Sequence, residues 1–232
     1  MPLNQNPGRV LITGGASGLG LAVARAVAEA GGRPLVIDRT VPDGYPHHAR
    51  QADVTDRPAV ERAVAELVDA EGGLDAVVTA AGIDTPGALG DVPAEDWERV
   101  VLVNLFGTAS TVRASLPHLE ASHGRVVTVA SSLGIKAVGD ATAYCASKFG
   151  VVGFTRSLAA ELRGRVGVTT LIPSGMNTNF FEGRTEQYKP ADDSRLNDPA
   201  TVADAVLFAL AQPRGTELRE LVICHEDEES WP

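Results

Sequence analysis

The chain has 232 residues, of which 44% are hydrophobic and 22% charged, which suits one domain with a substantial core and excludes a disordered chain. Its formal net charge of −10 argues against nucleic acid and anionic membranes as partners, because both recruit Lys/Arg patches. Two cysteines, Cys145 and Cys224, are too few for a disulfide scaffold or a cysteine-built zinc site. His47 and His48 are adjacent and so do not share a helix face, and the other three histidines lie far apart in the sequence. We therefore expect no metal.

Short β-branched runs alternate with longer Ala-rich helical patterns along the chain. The predicted strands are Arg9–Thr13, Pro34–Asp38, Ala49–Ala52, Leu74–Ala80, Arg125–Ala130, Val166–Ile172 and Glu220–Cys224. The predicted helices are Gly18–Ala30, Pro58–Glu71, Trp97–Glu120, Thr142–Leu162 and Pro199–Ala211. Most strands are almost continuously apolar, as expected when helices cover both faces of a parallel sheet. The pattern predicts a single α/β domain over residues 1–232, with a doubly wound parallel sheet of about seven strands.

The ends of the chain carry little chemistry. The polar start, Met1 to Gly8, has neither the basic segment nor the apolar run of a signal peptide. No stretch approaches the roughly 18 apolar residues expected of a membrane span. We expect a cytoplasmic, reducing location, which the low cysteine count fits.

A glycine-rich turn follows the first strand, reading Thr13-Gly14-Gly15-Ala16-Ser17-Gly18-Leu19-Gly20. Glycine permits positive φ and a close approach of the backbone to a pyrophosphate. The helix that follows offers unpaired N–H groups and a positive dipole end to the phosphates. Its place between the first strand and the first helix favours dinucleotide binding over a tight turn without a ligand.

Asp38 ends the second strand, at close to the spacing of about 20 residues expected for a ribose-binding acid. Its carboxylate can accept hydrogen bonds from both adenosine ribose hydroxyls and would repel a 2′-phosphate, which favours NAD over NADP. Ser17 stands before Gly18, where a cation would otherwise bind that phosphate. Arg39 could bind it instead, so NADP remains an alternative, as does a solvated acid at Asp38.

Tyr144 and Lys148 lie four residues apart at the start of a predicted helix, which places phenol and ammonium on one face. They follow a strand that ends in Ser131-Ser132. A phenol has an ordinary pKa of about 10 and is a poor base near neutrality. A nearby cation stabilises phenolate, so we expect Lys148 to lower the pKa of Tyr144 into a working range.

Together these motifs resemble the short-chain dehydrogenase/reductase family over nearly the whole chain. Thr13-Gly14-x-x-x-Gly18-x-Gly20 is similar to the family's cofactor motif, and Asp53-Val54 resembles its acid–aliphatic pair at adenine. Val103-Asn104-Leu105 resembles its helix with the catalytic Asn. Ser131 lies 13 residues before Tyr144, the family's spacing for the catalytic Ser, with Ser132 as its less favoured neighbour.

The resemblance implies a Rossmann-type fold and a hydride transfer between nicotinamide and a substrate carbon. Tyr144 would exchange a proton with the substrate oxygen, Ser131 would hydrogen-bond that oxygen, and Lys148 would bind the nicotinamide ribose. Asn104 would hold, through its helix backbone, a water that links Lys148 to solvent. The implied cofactor contacts are Gly14, Ser17, Gly18, Leu19, Gly20, Asp38, Arg39, Asp53, Val54, Ala81, Gly82, Tyr144, Lys148, Pro173 and Thr178.

Two segments depart from the family's pattern. Thr79-Ala80-Ala81-Gly82 stands where the family usually has Asn-Asn-Ala-Gly, which puts stability more than chemistry in doubt. Pro173-Ser174 replaces the usual Pro-Gly after the sixth strand, although Thr178 keeps the position expected to bind the nicotinamide carboxamide.

Substrate specificity should come from the loops beyond the strand carboxyl ends, which here are Ile83–Leu89, Leu133–Ala141 and a lid over Met176–Asp198. Phe180, Phe181 and Tyr188 predict an apolar wall under a mobile cover, with core packing as the alternative for the Phe pair. The lid is short for the family, which predicts an open pocket for a bulky or cyclic substrate. Asp84 and Asp140 could contact the substrate, but we interpret them as loop acids.

We therefore expect an NAD(P)-dependent oxidoreductase that interconverts a secondary alcohol and a ketone. A cofactor-sensing protein without chemistry is the alternative, against which the complete set of Asn104, Ser131, Tyr144 and Lys148 argues. A sugar-nucleotide epimerase or dehydratase would need more chain after Thr178. The resemblance also implies a homo-oligomer, a tetramer or dimer built on the helices of Asn104 and Tyr144. The acidic tail, His225–Pro232, is predicted to be solvated, or anchored through Trp231 on a neighbouring subunit.

Overall fold

A computed structural model describes residues 6–227 and shows seven strands in one parallel sheet. The strands are β1 Arg9–Thr13, β2 Arg33–Asp38, β3 His48–Gln51, β4 Ala76–Thr79, β5 Arg125–Val129, β6 Gly167–Pro173 and β7 Glu220–Ile223. Their order in the sheet is β3-β2-β1-β4-β5-β6-β7, which confirms the predicted doubly wound sheet. The end of the predicted tail, with Trp231, lies outside the described residues.

Six α-helices cover the two faces of the sheet. They are α1 Gly18–Glu29, α2 Arg57–Glu71, α3 Ala94–Val101, α4 Gly107–Ser122, α5 Thr142–Glu161 and α6 Pro199–Leu210. Side chains alternate along each strand, so Leu11 packs with the layer of α2, α4 and α5 while Val10 and Ile12 pack with α1 and α6. Both faces are therefore core, which explains the continuous apolar runs of the central strands.

The helix predicted over Trp97–Glu120 is wrong as one regular helix. It starts earlier, at Ala94, and a π-helical turn over Leu102–Phe106 separates α3 from α4. The turn is marked by a hydrogen bond from the Gly107 N–H to the Leu102 carbonyl oxygen. A π turn inserts one residue into the helical repeat and occurs often at functional sites. Asn104 lies within it and is 1% exposed.

The same helical segment, residues 94–122, corrects the expectation about membrane spans. By length and composition alone it could cross a membrane, with a mean hydropathy of 1.2 over its most apolar stretch. Of that stretch, 44% is buried inside the fold, where α4 packs against α2. Its apolar side chains therefore also serve as one layer of the core.

The order of the strands fixes where a ligand can enter. Strands β1 and β4 are neighbours in the sheet, but the chain continues from β1 to β2 on one side and from β4 to β5 on the other. A crevice forms outside the carboxyl ends of the strands at such a switch point. The glycine-rich turn follows β1 and the segment Thr79–Gly82 ends β4, so both predicted motifs meet there.

Candidate active site

A cavity of about 820 Å³ opens at the carboxyl ends of the strands. It is lined by every residue that the sequence analysis assigned to cofactor binding, and also by Ser131. Asn104 does not line it. Among residues 6–227, no group of three or more His, Cys, Asp or Glu side chains is arranged to hold a metal ion. The cofactor roles themselves stay predictions.

The glycine-rich turn is packed so tightly that two of its positions exclude any side chain. A Cβ at Gly14, where φ is +68°, would lie 2.8 Å from the backbone of Ala81. A Cβ at Gly20 would lie 2.1 Å from the carbonyl oxygen of Gly14. Ser17 precedes α1, and its hydroxyl makes no capping hydrogen bond to the helix. A turn without side chains at Gly14 and Gly20 that leads into a helix N-terminus suits the phosphates of a dinucleotide.

Asp38 holds the turn against the end of β2. One carboxylate oxygen accepts a hydrogen bond from the Ala16 N–H at 3.0 Å, and the other accepts from the Thr40 N–H at 3.1 Å. Each oxygen keeps a further lone pair, so the carboxylate can still accept from ribose hydroxyls. Arg39 is exposed beside it at the edge of the cavity. The structure thus keeps both the acid that favours NAD and the cation that could serve NADP.

Two contacts in this region were not predicted. The Tyr45 hydroxyl donates a hydrogen bond to the Gly15 carbonyl oxygen at 2.6 Å, which braces the turn from outside. The Arg99 guanidinium donates to Asp53 at 2.8 Å and also lines the cavity. Burial alone would raise the pKa of Asp53, but hydrogen bonds from Thr55 and Arg99 lower it. Asp53 is therefore held as an anion where adenine is expected.

Ser131, Tyr144 and Lys148 meet on the opposite side of the cavity. Ser131 follows β5, and its Oγ accepts a hydrogen bond from the Leu133 N–H at 3.1 Å. The Ser131 hydroxyl also lies close enough to the Tyr144 phenol to lower the pKa of that phenol. The Lys148 Nζ lies 5.5 Å from the centre of the Tyr144 ring and donates to the Val129 carbonyl oxygen at 2.8 Å. Helix α5 thus presents phenol and ammonium to one place, as the spacing predicts.

The expected effect of Lys148 on Tyr144 is not what the structure supports. Burial raises the pKa of Tyr144 to about 12, and this outweighs the opposing hydrogen bond from Ser131. Burial also lowers the pKa of Lys148 to about 8, against the attraction of Asp84. The protein by itself therefore keeps the phenol protonated near neutral pH. Lys148 is still mostly protonated at neutral pH, but its charge does not offset the effect of burial on the pKa of Tyr144.

Asn104 lies outside the cavity and links three neighbouring segments through hydrogen bonds. Its side-chain amide donates to the Ile83 carbonyl oxygen at 2.9 Å and to the Ser147 Oγ at 3.0 Å, and its Oδ1 accepts from the Ile83 N–H at 2.8 Å. Its backbone carbonyl accepts from the Thr108 hydroxyl at 2.8 Å. The buried amide thus joins the π turn, the loop after β4 and helix α5. The predicted water relay through its backbone stays a prediction.

Both departures from the family's pattern have local consequences. The Thr79 hydroxyl is buried without a hydrogen-bond partner, which costs stability as expected for a lost polar network. The Ser174 Oγ accepts a hydrogen bond from the Asn197 amide at 2.8 Å. Ser174 therefore ties the end of β6 to the end of the lid.

The lid, Met176–Asp198, lies across the substrate end of the cavity and contains three short 3₁₀ turns, at Asn179–Phe181, Glu186–Tyr188 and Asp193–Arg195. The Phe180 ring centre lies 5.8 Å from that of Tyr144, so Phe180 forms a wall beside the phenol. Tyr188 donates a hydrogen bond to Asp140 at 3.1 Å, which makes Asp140 a lid contact.

Asp84 is more than the loop acid expected from the sequence. It forms an ion pair with Arg184 of the lid at 3.1 Å, and both side chains are largely covered, with exposures of 7% for Asp84 and 11% for Arg184. The Arg184 guanidinium lies 4.8 Å from the centres of the Phe180 and Phe181 rings. No signal in the sequence selects Arg184, because its partner lies a hundred residues earlier in the chain.

Comparisons with known proteins agree with this geometry. A profile of the family described as short chain dehydrogenase matches residues 8–189. An uncharacterized oxidoreductase of Staphylococcus aureus (strain N315) is 32% identical over 225 residues, covering 92% of this chain and 95% of that protein. The 2,5-dichloro-2,5-cyclohexadiene-1,4-diol dehydrogenase LinX of Sphingobium indicum is 32% identical over 224 residues, covering 88% of this chain and 90% of LinX.

Among solved structures, an alcohol dehydrogenase from the archaeon Thermococcus sibiricus, complexed with 5-hydroxy-NADP, has the same fold. It superposes with a TM-score of 0.86 at 24% identity and covers 96% of this chain and 98% of its own. With a family profile over most of its length and relatives of similar extent, the chain belongs to the short-chain dehydrogenase/reductase family of oxidoreductases.

Proposed function

We propose that the protein interconverts a secondary alcohol and a ketone with NAD(P), using Tyr144 as general acid and base. One observation carries this proposal: the Tyr144 phenol, the Ser131 hydroxyl and the buried Lys148 line the same cavity as the glycine-rich turn. A proton donor, an oxygen-orienting hydroxyl and a dinucleotide cradle are the parts that such a reaction needs.

The chain has residues to hold the cofactor along the whole cavity. The glycine-rich turn would hold the phosphates, Asp38 the adenosine ribose, Asp53-Val54 the adenine and Thr178 the carboxamide. The bound cofactor supplies the hydride acceptor or donor. We favour NAD because the Asp38 carboxylate would repel a 2′-phosphate, with Arg39 leaving NADP as the alternative.

The protonation state of Tyr144 determines which direction of the reaction, reduction or oxidation, its phenol assists directly at neutral pH. A phenol whose pKa is raised to about 12 is protonated there and can donate its proton to a carbonyl oxygen. Ser131 orients the same oxygen. In the oxidation direction the phenol must first lose that proton, so we expect alcohol oxidation to speed up as the pH rises.

The cavity and one relative support a bulky or cyclic substrate. At the end of the cavity that holds Tyr144, Phe180 provides an apolar wall beside the phenol. LinX acts on a cyclic diol by its name and is similar over 88% of this chain. A cyclic secondary alcohol is therefore the first substrate class to try.

We also propose a homo-oligomer built on the helices that carry Asn104 and Tyr144. Leu102 and Phe106 of the π turn and Phe149 of α5 are 42%, 58% and 45% exposed. Large apolar side chains exposed close together mark contact surfaces.

The proposal is tested with a panel of cyclic, aromatic, sugar and acyl alcohols and ketones, assayed with each nicotinamide cofactor through the absorbance of its reduced form. We expect turnover of at least one cyclic secondary alcohol or its ketone, with NAD preferred. Reduced-cofactor binding is measured in parallel by fluorescence. Binding without turnover of any substrate in either direction would instead favour the cofactor-sensing alternative.

A further inference from the structure

The Asp84–Arg184 pair lines the same cavity as Tyr144, and neither member gives or takes a proton in the chemistry proposed above. Its two members come from separate elements, the loop after β4 and the lid. The Arg184 Nη2 lies 3.1 Å from the Asp84 Oδ2, with side-chain exposures of 11% and 7%. An ion pair this deeply buried needs a reason, because desolvation can cost as much as the attraction returns.

Within residues 6–227, each member of the pair has an atom that finds no hydrogen-bond partner. The Asp84 Oδ1 is buried and accepts nothing, and the Arg184 Nη2 contacts Asp84 as a charge without an aligned hydrogen bond. Consistent with this, burial raises the pKa of Asp84 even though Arg184 opposes the shift. Unpartnered buried polar atoms are rare in folded proteins, and each needs an explanation such as a bound water, an ion or a functional role.

The pair is close to the reacting group. Arg184 stacks on Phe180, whose ring centre is 5.8 Å from that of Tyr144. Asp84 acts electrostatically on both Tyr144 and Lys148. A substrate whose oxygen lies at Tyr144 and Ser131 therefore has its far side near Asp84 and Arg184.

The unpartnered atoms select a particular chemical group. The Asp84 Oδ1 is an acceptor and the Arg184 Nη2 is a donor, and they belong to neighbouring side chains of opposite charge. A carboxylate or phosphate would be repelled by Asp84, an amine by Arg184, and an apolar ring would satisfy neither atom. A hydroxyl fits both, since it donates one hydrogen bond and accepts others.

We propose that the substrate carries a second hydroxyl, which donates to the Asp84 Oδ1 and accepts from the Arg184 Nη2. The preferred substrates are therefore diols, polyols or the matching hydroxy ketones, and the pair is a specificity element. This inference rests on the proposed function. Both atoms are hidden in the closed arrangement, so the hydroxyl enters while the lid is open and is covered when it closes. The second hydroxyl is bound and keeps its oxidation state.

The test compares cyclohexanol with the positional isomers of cyclohexanediol and with hydroxycyclohexanecarboxylates. For the unmodified protein we expect kcat/KM to be about 10-fold or more higher for at least one diol than for cyclohexanol, since a buried hydrogen bond to a charged group is worth that much. The hydroxy acids should be poorer substrates than the diols.

Two variants and a control then assign the preference to the pair. Asp84→Asn and Arg184→Gln should each bring the ratio of kcat/KM for the diol to kcat/KM for cyclohexanol close to one. Effects of the substitutions on Tyr144 and Lys148 change both values alike and therefore cancel in that ratio. Glu186→Gln removes a carboxylate from the same lid, where the Glu186 side chain is 87% exposed, and should keep the ratio of the unmodified protein. Thermal melting checks that each variant is folded.

Each outcome bears on the inference. Equal use of cyclohexanol and all diols by the unmodified protein overturns it and leaves the proposed function standing. Preference for the hydroxy acids also overturns it, because Arg184 would then serve an anion. Turnover of no alcohol or ketone with either cofactor overturns the proposed function and the inference together. A diol preference that survives both substitutions overturns the role of the pair. Where a variant does not fold, the substrate panel of the unmodified protein still tests whether diols are preferred.

Discussion

Lys148 is an ionisable side chain placed where its charge is costly. It is 5% exposed and donates to the Val129 carbonyl oxygen. Burial lowers its pKa from 10.5 to about 8, with Asp84 opposing the shift. A position that was selected only for stability would not retain such a group.

Replacing this lysine should therefore stabilise the fold at neutral pH. Below pH 8 both the folded and the unfolded chain hold the proton, so the full penalty of the buried charge is present there. Between about 8 and 10.5 the unfolded chain holds more protons, and the stability of the unmodified protein rises relative to the variant. We predict that Lys148→Met gains about 1–2 kcal/mol at pH 7 and that the gain shrinks towards pH 10.

Urea unfolding at the two pH values measures this difference. Lys189→Met is the matched control, because Lys189 is an exposed lid residue paired only with Glu186. Its stability should follow that of the unmodified protein at both pH values. A Lys148→Met gain that grows with pH would contradict the assigned cause.

Asp38 is the residue that should set the cofactor preference. Because its carboxylate also accepts from the Ala16 and Thr40 N–H groups, Asp38→Ala would disturb the turn as well as remove the charge. Asp38→Asn removes the charge and keeps one of the two acceptor oxygens, so it disturbs the turn less than Asp38→Ala does. We predict that it lowers the ratio of kcat/KM for NAD over NADP by about 10-fold, the loss of one charged contact. Equal affinity of the unmodified protein for NAD and NADP would show that Asp38 does not discriminate.

At the scale of elements, glycine in α1 is required by packing. A Cβ at Gly20 would lie 2.1 Å from the Gly14 carbonyl oxygen, whereas at Gly153 in α5 nothing lies within 4 Å. We predict that Gly20→Ala weakens binding of reduced cofactor by about 10-fold or more, because the turn must shift, and that Gly153→Ala stabilises the fold by about 0.5–1 kcal/mol. Fluorescence titration and thermal melting measure the two effects. Unchanged binding in the Gly20 variant would separate the turn from the cofactor.

The sequence predicts elements well where one local pattern decides them. Strand β1 has the predicted bounds, and α2 ends at the predicted Glu71, since apolar periodicity and turn residues act over a few positions. The π turn at Leu102–Phe106 escapes such reasoning, because one inserted residue hardly changes the periodicity. Tertiary contacts stabilise this turn, because the Asn104 side chain donates hydrogen bonds to Ile83 and Ser147 in other elements.

Site residues divide in the same way. Tyr144 and Lys148 are predictable because one helix fixes their distance, and Asp38 because a βαβ unit does. Arg99, Tyr45 and Arg184 are not, because each meets its partner through the folding of distant segments. The raised pKa of Tyr144 cannot be predicted from the sequence either, since the burial that causes it depends on the whole fold.

At the scale of the whole molecule, the exposed apolar residues of the π turn and α5 predict assembly. We predict that the unmodified protein is a dimer or tetramer and that Phe106→Glu lowers its mass in solution, because a charge would be buried at the contact. Analytical ultracentrifugation measures this. Leu89→Glu is the control, since Leu89 is 65% exposed and belongs to the loop after β4 and not to the π turn or α5. A monomeric unmodified protein would contradict the prediction.

The central claim is that Tyr144 moves the proton while the rest of the cavity holds the cofactor. Its most direct test is Tyr144→Phe, which removes one hydroxyl and keeps the ring packed beside Phe180. We measure turnover of the best alcohol or ketone of the panel together with the dissociation constant of the reduced cofactor. The account predicts that kcat falls by about 10²–10⁴-fold while cofactor binding is nearly unchanged. Undiminished turnover by a folded, cofactor-binding Tyr144→Phe variant would contradict it.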